Sequence, residues 1–248
     1  MNMRVKKSIE NISTIKVKSF YEQRAAGYKG SGNVYNVTML QDKNPSLSEE
    51  RHKAEVYKLL PKLKIDSDSC VLDLACGVGR WLDALPETIN KYRGIDFTEG
   101  LIEIAQSRNI RHDAKFFTGS VLEADKILVN EKHTFNRVLM IAFFMYMNDN
   151  DVLSLLKKIP ALITDFGGEL ICMKASIGIQ DRLTLKDFYS EELKSEYEAI
   201  YRTRDEYMKF FEATLIHEGF SVTDEGFMFD ESLNNRKETA QYYFILER

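Results

Sequence analysis

Short apolar blocks recur along this chain, separated by stretches whose apolar residues fall three or four apart. Residues 71–74, 92–96, 116–121, 135–141 and 169–175 are short and largely apolar on both faces, the pattern of strands covered on two sides. Between them, helical spacing predicts helices over 81–85, stopped by Pro86, and over 100–107, 122–128 and 149–163, the last with Pro160 near its end. Gly167-Gly168 marks the turn into the fifth strand. Strand and helix in alternation predict an α/β domain on a mostly parallel sheet, and two later apolar segments, 220–223 and 241–247, bring the expected strands to seven.

The flanks read differently. Over 8–29, Ile9, Ile12, Ile15, Val17 and Phe20 precede Tyr21, Arg24 and Tyr28, whose spacing puts those three on one face of a helix. An arginine between two tyrosines needs a charged partner if it is buried. Glycines, asparagines and Pro45 make 30–47 a loop, after which Ser48 starts a helix to Leu60 carrying Arg51, His52 and Glu55. Residues 177–207, rich in Tyr, Arg and acids, read as an insertion of loop plus helix, and 234–239 as a turn between the last two strands. The chain is thus expected to be one domain, 1–248: N-terminal helices over 1–60, a core over 61–176, the insertion and its helix over 177–218, and the last strands over 219–248.

A length of 248 residues is ample for one such core and marginal for two. The net charge of −4, from 34 basic and 38 acidic side chains, offers no general attraction to a phosphate backbone, so no nucleic-acid partner is expected. The longest apolar run, 138–147, is about half of what a membrane-spanning helix needs, and no signal-peptide pattern is present. Cys70, Cys76 and Cys172 read as reduced, packed thiols. The expectation is a cytoplasmic protein without a membrane partner. His52, His112, His133 and His217 lack ligand spacing, so no metal is expected.

The chemistry concentrates in 71–81, VLDLACGVGRW. Gly77 and Gly79 open a sharp strand-to-helix turn to backbone angles closed to other residues and clear side chains from a ligand's path. A dinucleotide fold would carry a third glycine where Leu82 stands. Asp73 is an unexpected acid inside a strand, and Asp96 ends the next strand 17 residues after Gly79. This ordered series resembles motif I and its sequel in the class I S-adenosylmethionine-dependent methyltransferases, from about Leu59 to Met173. The resemblance implies a Rossmann-like fold with one antiparallel strand, a mobile N-terminal helical lid that carries Tyr21, Arg24 and Tyr28 and closes Tyr21 and Tyr28 over the cofactor, and S-adenosylmethionine as that cofactor. It places the cofactor on Asp73, Ala75, Gly77, Gly79, Asp96, Phe97, Ser120, Val121 and Ile141, with Arg51 reaching the methionyl carboxylate. Ser120 stands where the family most often has an acid, and Asn136 replaces the acid that usually opens the fourth strand.

The end of the fourth strand in this family faces the transferred methyl, so Ile141 and Phe144 are expected to wall the sulfonium, while Phe143 reads as core. For the acceptor, a small molecule, the candidates are Phe144, Tyr146, Lys174, Tyr189, Tyr201, Arg202, Arg204 and Arg236. Their arginines point to an anion, a nucleotide-linked sugar or phosphorylated glycan precursor. If the acceptor is a hydroxyl it needs a base, and His52 and Glu238 are the candidates. The competing reading is a non-catalytic protein that binds S-adenosylmethionine for regulation.

Overall fold

The computed structural model describes residues 3–30, 32–131, 134–164, 167–234 and 236–248. His133 and Asn235, the latter in the expected turn, lie outside the described residues. The chain opens with a short strand, β1 (Met3–Lys6), and helix α1 (Thr14–Gly27), whose start is capped by Ser13 Oγ accepting from Lys16 N at 3.3 Å. Val17, Phe20, Tyr21 and Ala25 are its buried face. A single turn, α2 (Asn36–Met39), interrupts the expected loop, and α3 (Ser46–Leu59) follows Pro45.

The core then alternates as its apolar blocks require: β2 (Cys70–Leu74), α4 (Arg80–Ala84), β3 (Lys91–Asp96), α5 (Glu99–Arg108), β4 (Ala114–Thr118), α6 (Ala124–Ile127), β5 (Arg137–Ile141), α7 (Asp149–Lys158) and β6 (Leu170–Gly178). After β6 the chain makes a hairpin, β7 (Leu183–Ser190) and β8 (Ser195–Tyr201), then α8 (Arg204–Glu212), β9 (Ser221–Phe227) and β10 (Thr239–Glu247). α8 starts in a capping box in which Thr203 and Glu206 satisfy each other's backbone N–H groups.

Seven strands form one sheet in the order β4-β3-β2-β5-β6-β10-β9. All are parallel except β10, which runs antiparallel to both β6 and β9, so the sheet has the one antiparallel member expected. Because successive side chains alternate between faces, β2 sends Leu72 and Leu74 to one core, with Met140, Leu155, Phe211 and Phe244. It sends Val71 to the other, with Trp81, Leu139 and Cys172. The strand order reverses at β2, and the carboxyl ends of β2, β3 and β5 open there into a crevice, where this architecture binds ligands.

The insertion differs from expectation. Residues 183–201 are a hairpin and not a loop plus helix, and with β1 they form a separate three-stranded sheet, β1-β7-β8. Its two-residue period is broken by a register shift between Leu185 and Phe188, where Asp187 takes a φ of 47° and its N–H donates to Glu198 Oε1 at 3.2 Å. The bulge hides the alternation from sequence reading. No described helix is long and apolar enough to cross a membrane.

Candidate functional site

The turn after β2 holds its shape through backbone angles that few residues adopt. Ala75 and Gly77 have φ of 57° and 56°, and Gly79 has 76°. At Gly77 a Cβ would come within 3.0 Å of Thr38 Cγ2, so the loop over the cavity closes on this glycine. Gly79 has a different task from the one expected: it does not line the cavity, and a Cβ there would meet the Phe116 ring at 3.0 Å. It lets α4 approach β4.

Asp96, at the tip of β3, binds the same turn. Its Oδ2 accepts from Gly77 N at 3.0 Å and its Oδ1 from Thr98 N at 2.9 Å. The residue is almost fully buried, and that burial raises its pKa to about 6 against the pull of the two backbone N–H groups. Each oxygen keeps acceptor capacity beyond its one N–H bond, which suits a vicinal diol. Asp73 is buried deeper, accepts from the Tyr92 hydroxyl at 2.6 Å, and is raised to about 7 by burial. Both acids line one cavity of about 860 Å³, together with Ala75, Gly77, Phe97, Ser120, Val121 and Ile141. Ser120 also caps the following turn, its Oγ accepting from Leu122 N.

The same cavity continues under α1 and the hairpin, where Tyr21, Tyr146, Tyr189, Tyr197 and Tyr201 line it. Tyr146 and Tyr197 share a hydrogen bond at 2.9 Å, Tyr201 donates to Tyr197 at 3.3 Å, and the Tyr21 ring meets Tyr146 edge-on at 5.4 Å. Arg51, Lys174, Arg236 and Glu238 also line it. Arg51 donates to the Leu233 carbonyl and lies over the Phe229 ring. Arg236 pairs with Glu192 at 2.6 Å on the exposed rim.

Other expected residues sit elsewhere. Tyr28 lies past the end of α1 and away from the cavity. Arg24, between it and Tyr21, finds its charged partner in Asp42, with both terminal nitrogens at 2.8 Å, and also donates to the Val37 and Asn36 carbonyls. It fastens α1 to the segment over Gly77. Phe144 is fully buried against Tyr207, while Phe143 lines the cavity, the reverse of the expected pair. The backbone reason is Ala142, whose φ of 63° turns the chain at the end of β5.

Arg202 is fully buried: it holds Asp149 and donates to the Phe144 and Met147 carbonyls at 2.8 and 2.6 Å. Arg204 pairs with Glu225 on the outside of the sheet. Neither meets the cavity. His52 does not line it either. Its Nδ1 faces Arg80 Nη1 at 2.7 Å, and burial with that guanidinium lowers its pKa to about 4, so its free lone pair is already used. Glu238 is at the mouth, but Lys6 and Arg4 pair with it and hold its carboxyl below the usual range. Both are poorly suited to accept a proton.

One buried cluster joins residues that no spacing in the sequence connects. Glu55, fully buried on α3, accepts from Arg80 at 2.6 Å and Trp81 Nε1 at 3.0 Å through Oε1, and pairs with Lys174 through Oε2. Burial opposes its charge, but Arg80 and Lys174 win and lower its pKa to about 2. Among the described residues, no group of His, Cys, Asp or Glu is arranged to hold a metal.

Residues 71–167 match the family model for a methyltransferase domain. The fold, the glycine turn and the two buried carboxylates are similar to those of the class I S-adenosylmethionine-dependent methyltransferases. Among curated proteins, the demethylmenaquinone methyltransferase of Alkalihalophilus pseudofirmus is 27% identical over 139 residues, covering 54% of this chain and 56% of that protein. The one from Lactococcus lactis subsp. lactis is 29% identical over 140 residues, covering 54% and 52%. The chain thus spans about half the length of the curated relatives it matches. Haemonchus contortus phosphoethanolamine N-methyltransferase 1, solved with phosphoethanolamine and S-adenosylhomocysteine, superposes with a TM-score of 0.70 at 17% identity over 95% of this chain and 50% of that one. Magnesium protoporphyrin IX methyltransferase from Synechocystis, with bound S-adenosylmethionine, gives 0.60 at 13% identity over 97% and 100%.

Proposed function

We propose that this chain transfers the methyl group of S-adenosylmethionine to a small anionic acceptor, a nucleotide-linked sugar or a phosphorylated glycan precursor. The observation that carries the reading is one continuous cavity, walled at one end by the glycine turn, Asp73 and Asp96 and at the other by tyrosines and Arg236. Methyl transfer from a sulfonium is an in-line displacement, so the protein's work is to align the two reactants and exclude water. Asp96 suits the ribose hydroxyls, and Asp73 suits the ammonium of the methionyl end. Ile141 and Phe143 give the apolar and aromatic wall that favours a cation. The tyrosine hydroxyls orient the acceptor's polar groups. Arg51, Lys43 and Lys237 bring positive charge to the cavity, beside Arg236 and Arg4, which are paired with Glu192 and Glu238 of the same lining.

The test is production of S-adenosylhomocysteine from S-adenosylmethionine and, separately, UDP-N-acetylglucosamine, phosphoethanolamine and a water-soluble demethylmenaquinone analogue. Turnover with a phosphorylated acceptor is expected. Turnover of the quinone alone overturns the anionic assignment, and failure of S-adenosylmethionine to bind in calorimetry overturns the whole reading.

A further inference from the structure

Neither expected base is placed to take a proton, yet a hydroxyl or ammonium acceptor must lose one. Where β5 ends beside the middle of β6, the cavity presents Lys174. It pairs with Ile141 across the two strands, and its carbonyl accepts from Ala142 N at 2.7 Å. It lines the cavity while only 3% exposed. Its Nζ is on Glu55 Oε2 and lies 6.0 Å from the centre of the Phe229 ring. The titratable and charged groups that face it are Glu55, Arg51 and His52 from α3, Arg80 from α4, and Cys172 two residues back on β6. Glu55 divides its charge between Arg80 and Lys174. One carboxylate therefore serves two cations in a dehydrated cluster. Loss of one proton relieves that excess, and among these cations lysine is the one able to lose it. Burial lowers the Lys174 pKa, with Glu55 opposing.

We propose that Lys174 is the general base of methyl transfer, taking the proton of the acceptor's attacking O–H or N–H; this rests on the function proposed above. The acceptor atom bonds to the methyl carbon, and the carbon–sulfur bond breaks with its electron pair going to sulfur. The acceptor's proton passes to Nζ, so the neutral amine becomes an ammonium held by Glu55. A sulfonium adds a positive charge to the cavity before transfer and a thioether adds none after it. Lys174 therefore gains basicity during the step that delivers its proton.

The test follows Lys174 by NMR in protein labelled with ¹³C at lysine Cε, with Lys174→Arg assigning the resonance. Calorimetry first establishes S-adenosylmethionine binding, so a failure of the cofactor reading shows separately. The resonance is expected to titrate below the exposed lysines, and lower with S-adenosylmethionine bound than with S-adenosylhomocysteine. Glu55→Gln should lower the midpoint further; should that variant not fold, the difference between the two complexes decides. Titration together with the exposed lysines, or one midpoint in both complexes, overturns the proposal. With whichever acceptor of the panel turns over, Lys174→Arg keeps a cation that cannot give up its proton. It should lose at least about 100-fold in kcat, the usual scale of general base catalysis, with cofactor affinity unchanged. Turnover by Lys174→Arg near the wild-type rate overturns the proposal equally.

Discussion

Asp96 is both a turn-former and the expected ribose contact, so its replacement separates folding from binding. In Asp96→Ala the Gly77 and Thr98 N–H groups lose their acceptor, at about 1–3 kcal/mol each if nothing replaces it. Against this, the carboxylate is itself costly at neutral pH. A pKa of about 6 in place of 3.8 means that folding opposes ionisation by about 3 kcal/mol, which the substitution returns. The two effects largely cancel, and the variant should fold with a stability change of no more than about 3 kcal/mol. Binding has no such offset. Two hydrogen bonds from ribose hydroxyls to a carboxylate, at about 1.5–3 kcal/mol each, set an upper limit that water in the vacated space will reduce. A loss of about 3 kcal/mol, roughly 100-fold in Kd, is expected for S-adenosylmethionine and S-adenosylhomocysteine alike. Calorimetry at pH 7.5 reads it, with urea unfolding as the control for the fold. A folded Asp96→Ala protein whose Kd stays within about threefold of wild type would refute the assignment of Asp96 to the ribose.

Further outcomes follow from the same geometry. Because the folded-state pKa of Asp96 is raised, the folded chain holds more protons than the unfolded one between pH 3.8 and about 6, so this group's contribution to stability falls as pH rises through that window. Urea titrations should show wild type losing about 2.4 kcal/mol relative to Asp96→Asn between pH 4 and 7, a difference that cancels the opposite slope of His52; parallel pH profiles would contradict it. Arg202→Ala should destabilise the fold by about 3–5 kcal/mol in urea, since it strips a buried cation from Asp149 and two carbonyls, and should leave the acceptor KM of surviving protein unchanged. Arg236→Ala, at the exposed rim, should raise the KM of a phosphorylated acceptor about tenfold at unchanged cofactor affinity; an unaltered KM moves the anion contact to Arg51.

The proposed cofactor end was legible in the sequence because backbone geometry forces the choice of residue. Positive φ at Gly77 and Gly79, and an acid at a strand tip, leave marks at fixed spacing. The acceptor end was not. Phe143 and Phe144 are adjacent and chemically equal, and only the left-handed turn at Ala142 decides which one faces the cavity. Arg202 sits among tyrosines and acids in sequence, and nothing local reveals that Asp149, on another helix, claims it. Glu55 and Lys174 are 119 residues apart, so their pairing exists only in the fold. The hairpin's bulge at Asp187 disguised two strands as a loop plus helix.

The hairpin has a consequence for how such a molecule diversifies. Its strands bond to β1 and to each other in their own sheet, not to the seven-stranded one. Phe188, Tyr189, Leu193, Tyr197 and Tyr201, a large part of the proposed acceptor wall, therefore come from one uninterrupted stretch of chain, whereas Asp73, Asp96 and Gly77 of the proposed cofactor end belong to β2, β3 and the turn between β2 and α4. A change of acceptor can then be made by exchanging a single contiguous cassette. On the proposed function, the inheritance of the methyl donor's seat is separable from the choice of what is methylated, and a graft of residues 183–201 between relatives becomes the natural unit of specificity engineering.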